Sequence, residues 1–305
     1  MVDMASIPGY DGYTGQSRYS GQRGTAGGAG GASQLAIEFI GSLHDDAPDL
    51  AADPDYPTRV ADLHEEAGFD RLLVDCSASS ADPFAVANQV LTTTSGLGVL
   101  LAHRPGFVAP TVAARQFATL EAFHPGRVAM LVIADGDDAD RRDGGGRAAA
   151  GRAGEFLDVV RLEWSSAEPF DYDGEFYRVA GGQSAVRPPG GGLPVYVSGT
   201  SAGAFRAGAG HADVFALWDQ PPAHLAGRMA AVRAAAAVHG RAPRFSASLR
   251  PPAASAGQLA GTLLDYLALG MSSVLIRGYD PEADAAYYAP LLRRVRDQAG
   301  RARVA

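Results

Sequence analysis

The chain contains no lysine; all 26 of its basic residues are arginine. A Schiff-base lysine and the lysine of a P-loop are therefore excluded as catalytic devices. Cysteine is nearly absent as well. Cys76 stands alone, which rules out an internal disulfide framework and any multi-cysteine metal centre. Such sparse use fits a reducing, cytoplasmic setting. No apolar run reaches the roughly 18 residues that a membrane-spanning helix needs. The N-terminus lacks the basic-then-apolar order of a secretory leader. A net charge of −8 argues against nucleic acid as a partner. Histidine pairs at i,i+4 spacing are missing, and the neighbouring side chains of His44, Asp45 and Asp46 diverge, so no metal is expected.

What is present is enough for one large domain: 305 residues, 47% of them hydrophobic, with arginine, alanine and glycine all overused. Residues 1–33 are rich in Gly, Ser and Tyr and hold few residues of core type, so they are expected to form a disordered tail. From residue 34 to about residue 300 the pattern becomes regular. Short apolar runs recur at 35–43, 71–75, 97–102, 127–133, 193–198, 213–218, 244–249 and 272–277, with helix-like stretches between them. The runs show no clean alternation, as expected of strands buried on both faces in a parallel sheet. Eight such units predict an α/β fold of the (β/α)8 TIM-barrel type. A doubly wound open sheet is the structural alternative, weakened because no G-x-G-x-x-G follows the first run. Residues 170–177, FDYDGEFY, read as a small hairpin turning at Asp-Gly.

A barrel of this kind carries its site at the C-terminal ends of its strands. The residues that follow the runs are then the candidates. His44 and His103 are candidate acid–base groups, with Arg104 beside the latter. On that reading His103→Ala costs activity far more than stability. Ser198-Gly199-Thr200-Ser201 opens a helix with free N–H groups, an anion site or an ordinary N-cap. Ser80, Trp218 and Arg250 lie where a substrate pocket would be lined, and Tyr279 follows the last strand.

The stretch LLAHRPGFVAPTVAARQFATLEAFHPGRV closely resembles the third strand, loop and helix of the bacterial luciferase-like flavin monooxygenases, nearest to their alkanesulfonate monooxygenase-like branch. HEEAGFDRLLVD, EFLDVVRLEWSSAEPFDYDGEFYRV, LPVYVSGTSAGAFRAGAGHADVFALWDQP and DYLALGMSSVLIRGY are similar to the same family, in the same order. The resemblance implies a luciferase-like barrel, often a homodimer. It implies reduced FMN supplied by a separate flavin reductase, and monooxygenation of a small organic substrate such as an organosulfur compound or a specialised metabolite. Ser198 to Ser201 match the family's phosphate-binding turn, Trp218 an aromatic wall, Tyr279 the Gly-Tyr after the last strand, and His103 and Arg104 a rim position.

The chain also departs from the family. Ile133-Ala134-Asp135-Gly136 stands where the isoalloxazine is held, so an acid replaces a neutral donor at Asp135. Ala149 and Ala150 stand where an Arg-Tyr pair reaches the flavin phosphate. Ser248-Leu249-Arg250 replaces an Arg and His pattern, and only PPAASAGQ separates the seventh strand from the next helix, a shortened loop. These changes leave two alternatives open: a luciferase-like barrel that has lost tight flavin binding, working without flavin or as a non-catalytic partner, and a user of a deazaflavin.

Overall fold

A computed structural model describes residues 37–43, 53–76, 80–135, 146–218, 222–250 and 256–304. In chain order its elements are β1 (Glu38–Ser42), α1 (Tyr56–Ala67), β2 (Arg71–Val74), α2 (Pro83–Thr93), β3 (Gly98–His103), α3 (Pro110–Phe123), β4 (Val128–Ile133), α4 (Gly146–Ser165), β5 (Phe170–Asp173), β6 (Arg178–Gly182), β7 (Val195–Ser198), α5 (Ala202–His211), β8 (Val214–Leu217), α6 (Pro222–Val238), β9 (Arg244–Leu249), α7 (Ala256–Ala268), β10 (Ser273–Ile276) and α8 (Pro281–Val304). Eight parallel strands close into a barrel in the order β1-β10-β9-β8-β7-β4-β3-β2. This is the TIM barrel expected from the eight apolar runs. The expected tail at residues 1–33 and the candidate His44 lie outside the described residues. So does most of the short segment between β9 and α7.

Each strand divides its side chains between two apolar layers. Ile40, Leu73, Leu100, Ala102, Leu131, Tyr196 and Leu275 fill the barrel. Their alternates, among them Phe39, Leu72, Leu101, Met130, Val197 and Ile276, face the helices. Both faces of every strand are buried, so the sequence shows continuous apolar runs instead of alternation.

The floor of the barrel is a polar plug. Arg71 Nε donates to Glu38 Oε1 at 2.6 Å, and the Tyr196 hydroxyl donates to Glu38 Oε2 at 2.5 Å. Arg71 also donates to the Arg127 carbonyl oxygen at 2.9 Å. A charge in this position is tolerated because it is paired and hydrogen-bonded.

The hairpin of β5 and β6 decorates the outside; it extends past the expected 170–177, because residues 174–177 form the turn and β6 follows at Arg178. Glu155 on α4 accepts the backbone N–H groups of Glu175, Phe176 and Tyr177 at 2.7 to 3.0 Å, which fixes the turn.

On the outer face of β1 the missing side chain of Gly41 admits the imidazole of His64 from α1. A Cβ on Gly41 would lie 2.1 Å from His64 Cδ2. His64 Nδ1 donates to the Val60 carbonyl oxygen at 2.7 Å, leaving Nε2 to accept from the Tyr279 hydroxyl. Burial pushes the His64 imidazole down to about 4, so the ring is neutral. We expect Gly41→Ala to lower the unfolding free energy by about 1–3 kcal/mol through overpacking. Gly261→Ala, on α7 where an added Cβ meets open space, should instead be neutral or slightly stabilising. Urea denaturation of both variants checks the pair.

Candidate active site

The mouth of the barrel lies at the C-terminal strand ends, and strand parity decides which side chains reach it. Ser42, Ser198 and Ser248 share the parity of the barrel-filling residues and are buried. Cys76 belongs to the interior cluster, and Ile133 and Trp218 pack against it. Burial raises the Cys76 thiol above its ordinary range, which keeps it protonated at neutral pH. Arg277 reaches across the mouth, with Cζ 5.2 Å from the centre of the Trp218 ring. An arginine over an indole face is a favourable cation–π pair. In the sequence Arg277 closes the last apolar run, 272–277, and so is not among the residues that follow the runs. The strand stops at Ile276, and parity turns the next side chain inward.

Of the other candidates, Arg104 belongs to this rim. Its Nε donates to the Cys76 carbonyl oxygen at 2.8 Å and ties the segment after β3 to the segment after β2. Trp218 forms one wall of the mouth. Arg250 is exposed and runs past Gly278, and Ser80 is exposed ahead of α2.

His103 and Tyr279 do not reach the mouth. Leu100 and Ala102 point into the barrel, so His103 points the other way, into the layer between sheet and helices. Its ring stacks on Phe156 of α4 at 4.7 Å between centroids and meets the edge of Phe117 of α3 at 6.4 Å. It is 2% exposed, and Nε2 finds no hydrogen-bond partner among the described residues. Burial pushes its pKa down to about 4. Tyr279 lies on the outer side too, its hydroxyl on His64 and its ring packed with Phe69 and Tyr288. The acid–base role expected of His103 and the site position expected of Tyr279 both place them at the mouth; the structure packs both between sheet and helices instead. Ala134 likewise turns its methyl group into the outer layer.

The turn at Ser198–Ser201 and Asp135 meet directly. Asp135 Oδ2 accepts the Thr200 backbone N–H at 2.5 Å and the Thr200 hydroxyl at 3.0 Å. Asp135 Oδ1 accepts the Ser201 N–H at 3.3 Å. Ser201 in turn caps α5, its Oγ accepting the Ala204 N–H at 3.1 Å. Burial raises the Asp135 pKa, but the hydrogen bonds from Ser201 and Thr200 outweigh it and hold the carboxyl below its usual range. The carboxylate is therefore ionised at neutral pH and occupies the positive end of the helix. Among the described residues no group of three or more His, Cys, Asp or Glu side chains is gathered that could hold a metal. No described helix is long and apolar enough to cross a membrane.

A closed parallel barrel ringed by helices defines a TIM-barrel protein of the α/β class. The chain belongs to the luciferase-like monooxygenase family, whose model matches residues 35–304. Members of that family are flavin- or F420-dependent oxidoreductases. Among solved structures the fold is similar to EDTA monooxygenase from Chelativorans sp. BNC1, with a TM-score of 0.74 and 15% identity, over 86% of this chain and 94% of that one. It is similar to an F420-dependent secondary alcohol dehydrogenase, with a TM-score of 0.73 and 15% identity, over 86% of this chain and 99% of that one. The oxygenating constituent of 3,6-diketocamphane monooxygenase from Pseudomonas putida, solved with FMN, has a TM-score of 0.66 and 13% identity, over 85% of this chain and 96% of that one.

The family's cofactors carry phosphate, and the resemblance assigns that phosphate to the Ser198–Ser201 turn. The residues present do not fit it there. Two N–H donors and one hydroxyl of the turn already serve Asp135. Two unit negative charges about 4 Å apart repel by about 4 kcal/mol at an effective dielectric constant near 20.

The buried His103 has a consequence for acid stability. The unfolded chain takes up its proton near the ordinary histidine value of about 6.5, the folded chain only near 4. Between those values the unfolded state holds more protons, so stability falls as pH drops through that window. His64 acts in the same direction. We expect His103→Ala to cost about 3 kcal/mol of stability through the cavity left against Phe156. His103→Phe should keep stability at pH 7 and reduce, without abolishing, the loss between about pH 6.5 and 4, because His64 still contributes. Denaturant titrations of the two variants at a series of pH values check this.

Proposed function

We propose that the chain is a reduced-flavin-dependent monooxygenase acting on a small organic molecule. The flavin arrives from a separate reductase as a diffusible reactant and is not clamped through its phosphate. Family membership across residues 35–304 supports the reaction class. The observation that carries the reading is the mouth itself. Trp218 and Arg277 stack there above the inward parity of Ser42, Ser198 and Ser248, which suits a flat ring system and a polar substrate. The flavin supplies the oxygen chemistry. The chain binds and orients the reactants and keeps water from them.

F420 is the other cofactor that the family offers, and the likeness to an F420-dependent dehydrogenase makes it the competing cofactor to test. A second reading is a barrel that works without any flavin. It is favoured by one observation, the Asp135 carboxylate in the turn assigned to phosphate.

Anaerobic titration with reduced FMN and, separately, reduced F420 tests the reading, followed by oxygen uptake with candidate substrates. We expect reduced FMN to bind with a dissociation constant of tens to hundreds of micromolar, about 5–6 kcal/mol, and oxygen uptake to depend on substrate. Binding of F420 alone, without oxygen uptake, would move the protein to the dehydrogenases. Absence of binding by either at about 1 mM would sink the proposal in favour of the flavin-free barrel.

A further inference from the structure

We infer that Asp135 is a built-in occupant of the anion position at the start of α5, and that it sets specificity by making this barrel reject the phosphate of its ligand. Three features of the turn support this. The carboxylate engages both of its oxygens: Oδ2 takes the Thr200 N–H and hydroxyl, and Oδ1 takes the Ser201 N–H. It arrives from the end of β4, a neighbouring strand of the barrel, so the contact is made by the fold and not by local sequence. Ala134 N–H donates to the Ser198 carbonyl oxygen at 2.9 Å, which extends the β4–β7 ladder and sets Asp135 opposite the turn.

Gly199 completes the fit. A Cβ there would lie 2.4 Å from Ala204 Cβ and 3.1 Å from Asp135 Cγ. The turn is thus shaped to close over a carboxylate. A helix N-terminus whose N–H groups point at an external anion binds phosphate readily. Here the same donors point at an anion that the chain carries with it. The ligand of the mouth is then recognised by its ring and its neutral polar groups, and a phosphate monoester on it contributes nothing to affinity.

The inference rests on the flavin reading only for its choice of probe. Equilibrium binding of FMN and of riboflavin to the full chain is compared with binding to Asp135→Asn, which keeps the shape of the side chain, and to Asp135→Ala, which empties the turn. The wild type should bind FMN no more tightly than riboflavin. At least one variant should prefer FMN by about tenfold or more, and inorganic phosphate should compete that preference away. The same variant should be stabilised by inorganic phosphate in a thermal melt where the wild type is not, a readout that needs no flavin at all. A wild type that prefers FMN over riboflavin by about tenfold would overturn the inference. So would two variants that gain neither the preference for FMN nor the response to phosphate. If the wild type shows no flavin chemistry, the proposed function fails alone, because the phosphate response of the variants still decides the part played by Asp135.

Discussion

Closing eight short strands into a barrel forces every side chain along them to choose between the interior and the helix layer. The choice alternates strictly, and most of this molecule follows from it. Leu100 and Ala102 go in, so Leu101 and His103 go out. Ile40 goes in, so Gly41 goes out and leaves the gap that His64 fills. Leu275 goes in, so Arg277 returns to the mouth and meets Trp218. One residue of register separates a rim group from a packing group, and the closed sheet leaves no freedom to shift it.

The same constraint explains how a histidine followed by an arginine at a strand end divides its labour. His103 is sealed against Phe156 and Phe117, neutral and far from solvent. Arg104, one position on, has left the ladder and reaches the Cys76 carbonyl oxygen on the neighbouring strand end. The pair marks a boundary between core and rim, and only its second member lies on the functional side.

The barrel also brings together residues about 65 positions apart, and that meeting bears most directly on function. In the sequence Asp135 stands out only as an acid where the resemblance leads one to expect a neutral donor; once β4 and β7 pair, its carboxylate fills the start of α5. The turn at Ser198–Ser201 had the right chemistry for an anion, and the anion it holds belongs to the chain. Family membership and cofactor anchoring are therefore separate matters in this protein. The first follows from the match over residues 35–304. As to the second, the turn that the resemblance assigns to a cofactor's phosphate is already held by Asp135 through three hydrogen bonds.

Much of the fold was legible in the residues. The eight apolar runs coincide with the eight barrel strands to within a few positions, because burial on both faces writes itself as continuous hydrophobicity. The hairpin was legible in part: the Asp-Gly step marks where its first strand ends, but residues 174–177 form the turn and the second strand lies beyond the expected 170–177, at Arg178–Gly182. The rim was legible as a set of loops but not as a set of side chains. His103 and Tyr279 follow apolar runs and so read as rim groups, whereas Arg277 closes the last run and so does not. Periodicity tells where a strand lies, but it does not tell which of two buried faces is the inside. That distinction requires the partner strands and helices to be in place. By itself the sequence determined the barrel, its family and the end of it where chemistry belongs, since these depend on pattern and local propensity. The tertiary structure alone decided which side chains face the mouth and that Asp135 occupies the anion turn, since both depend on groups distant in the chain meeting at a fixed register.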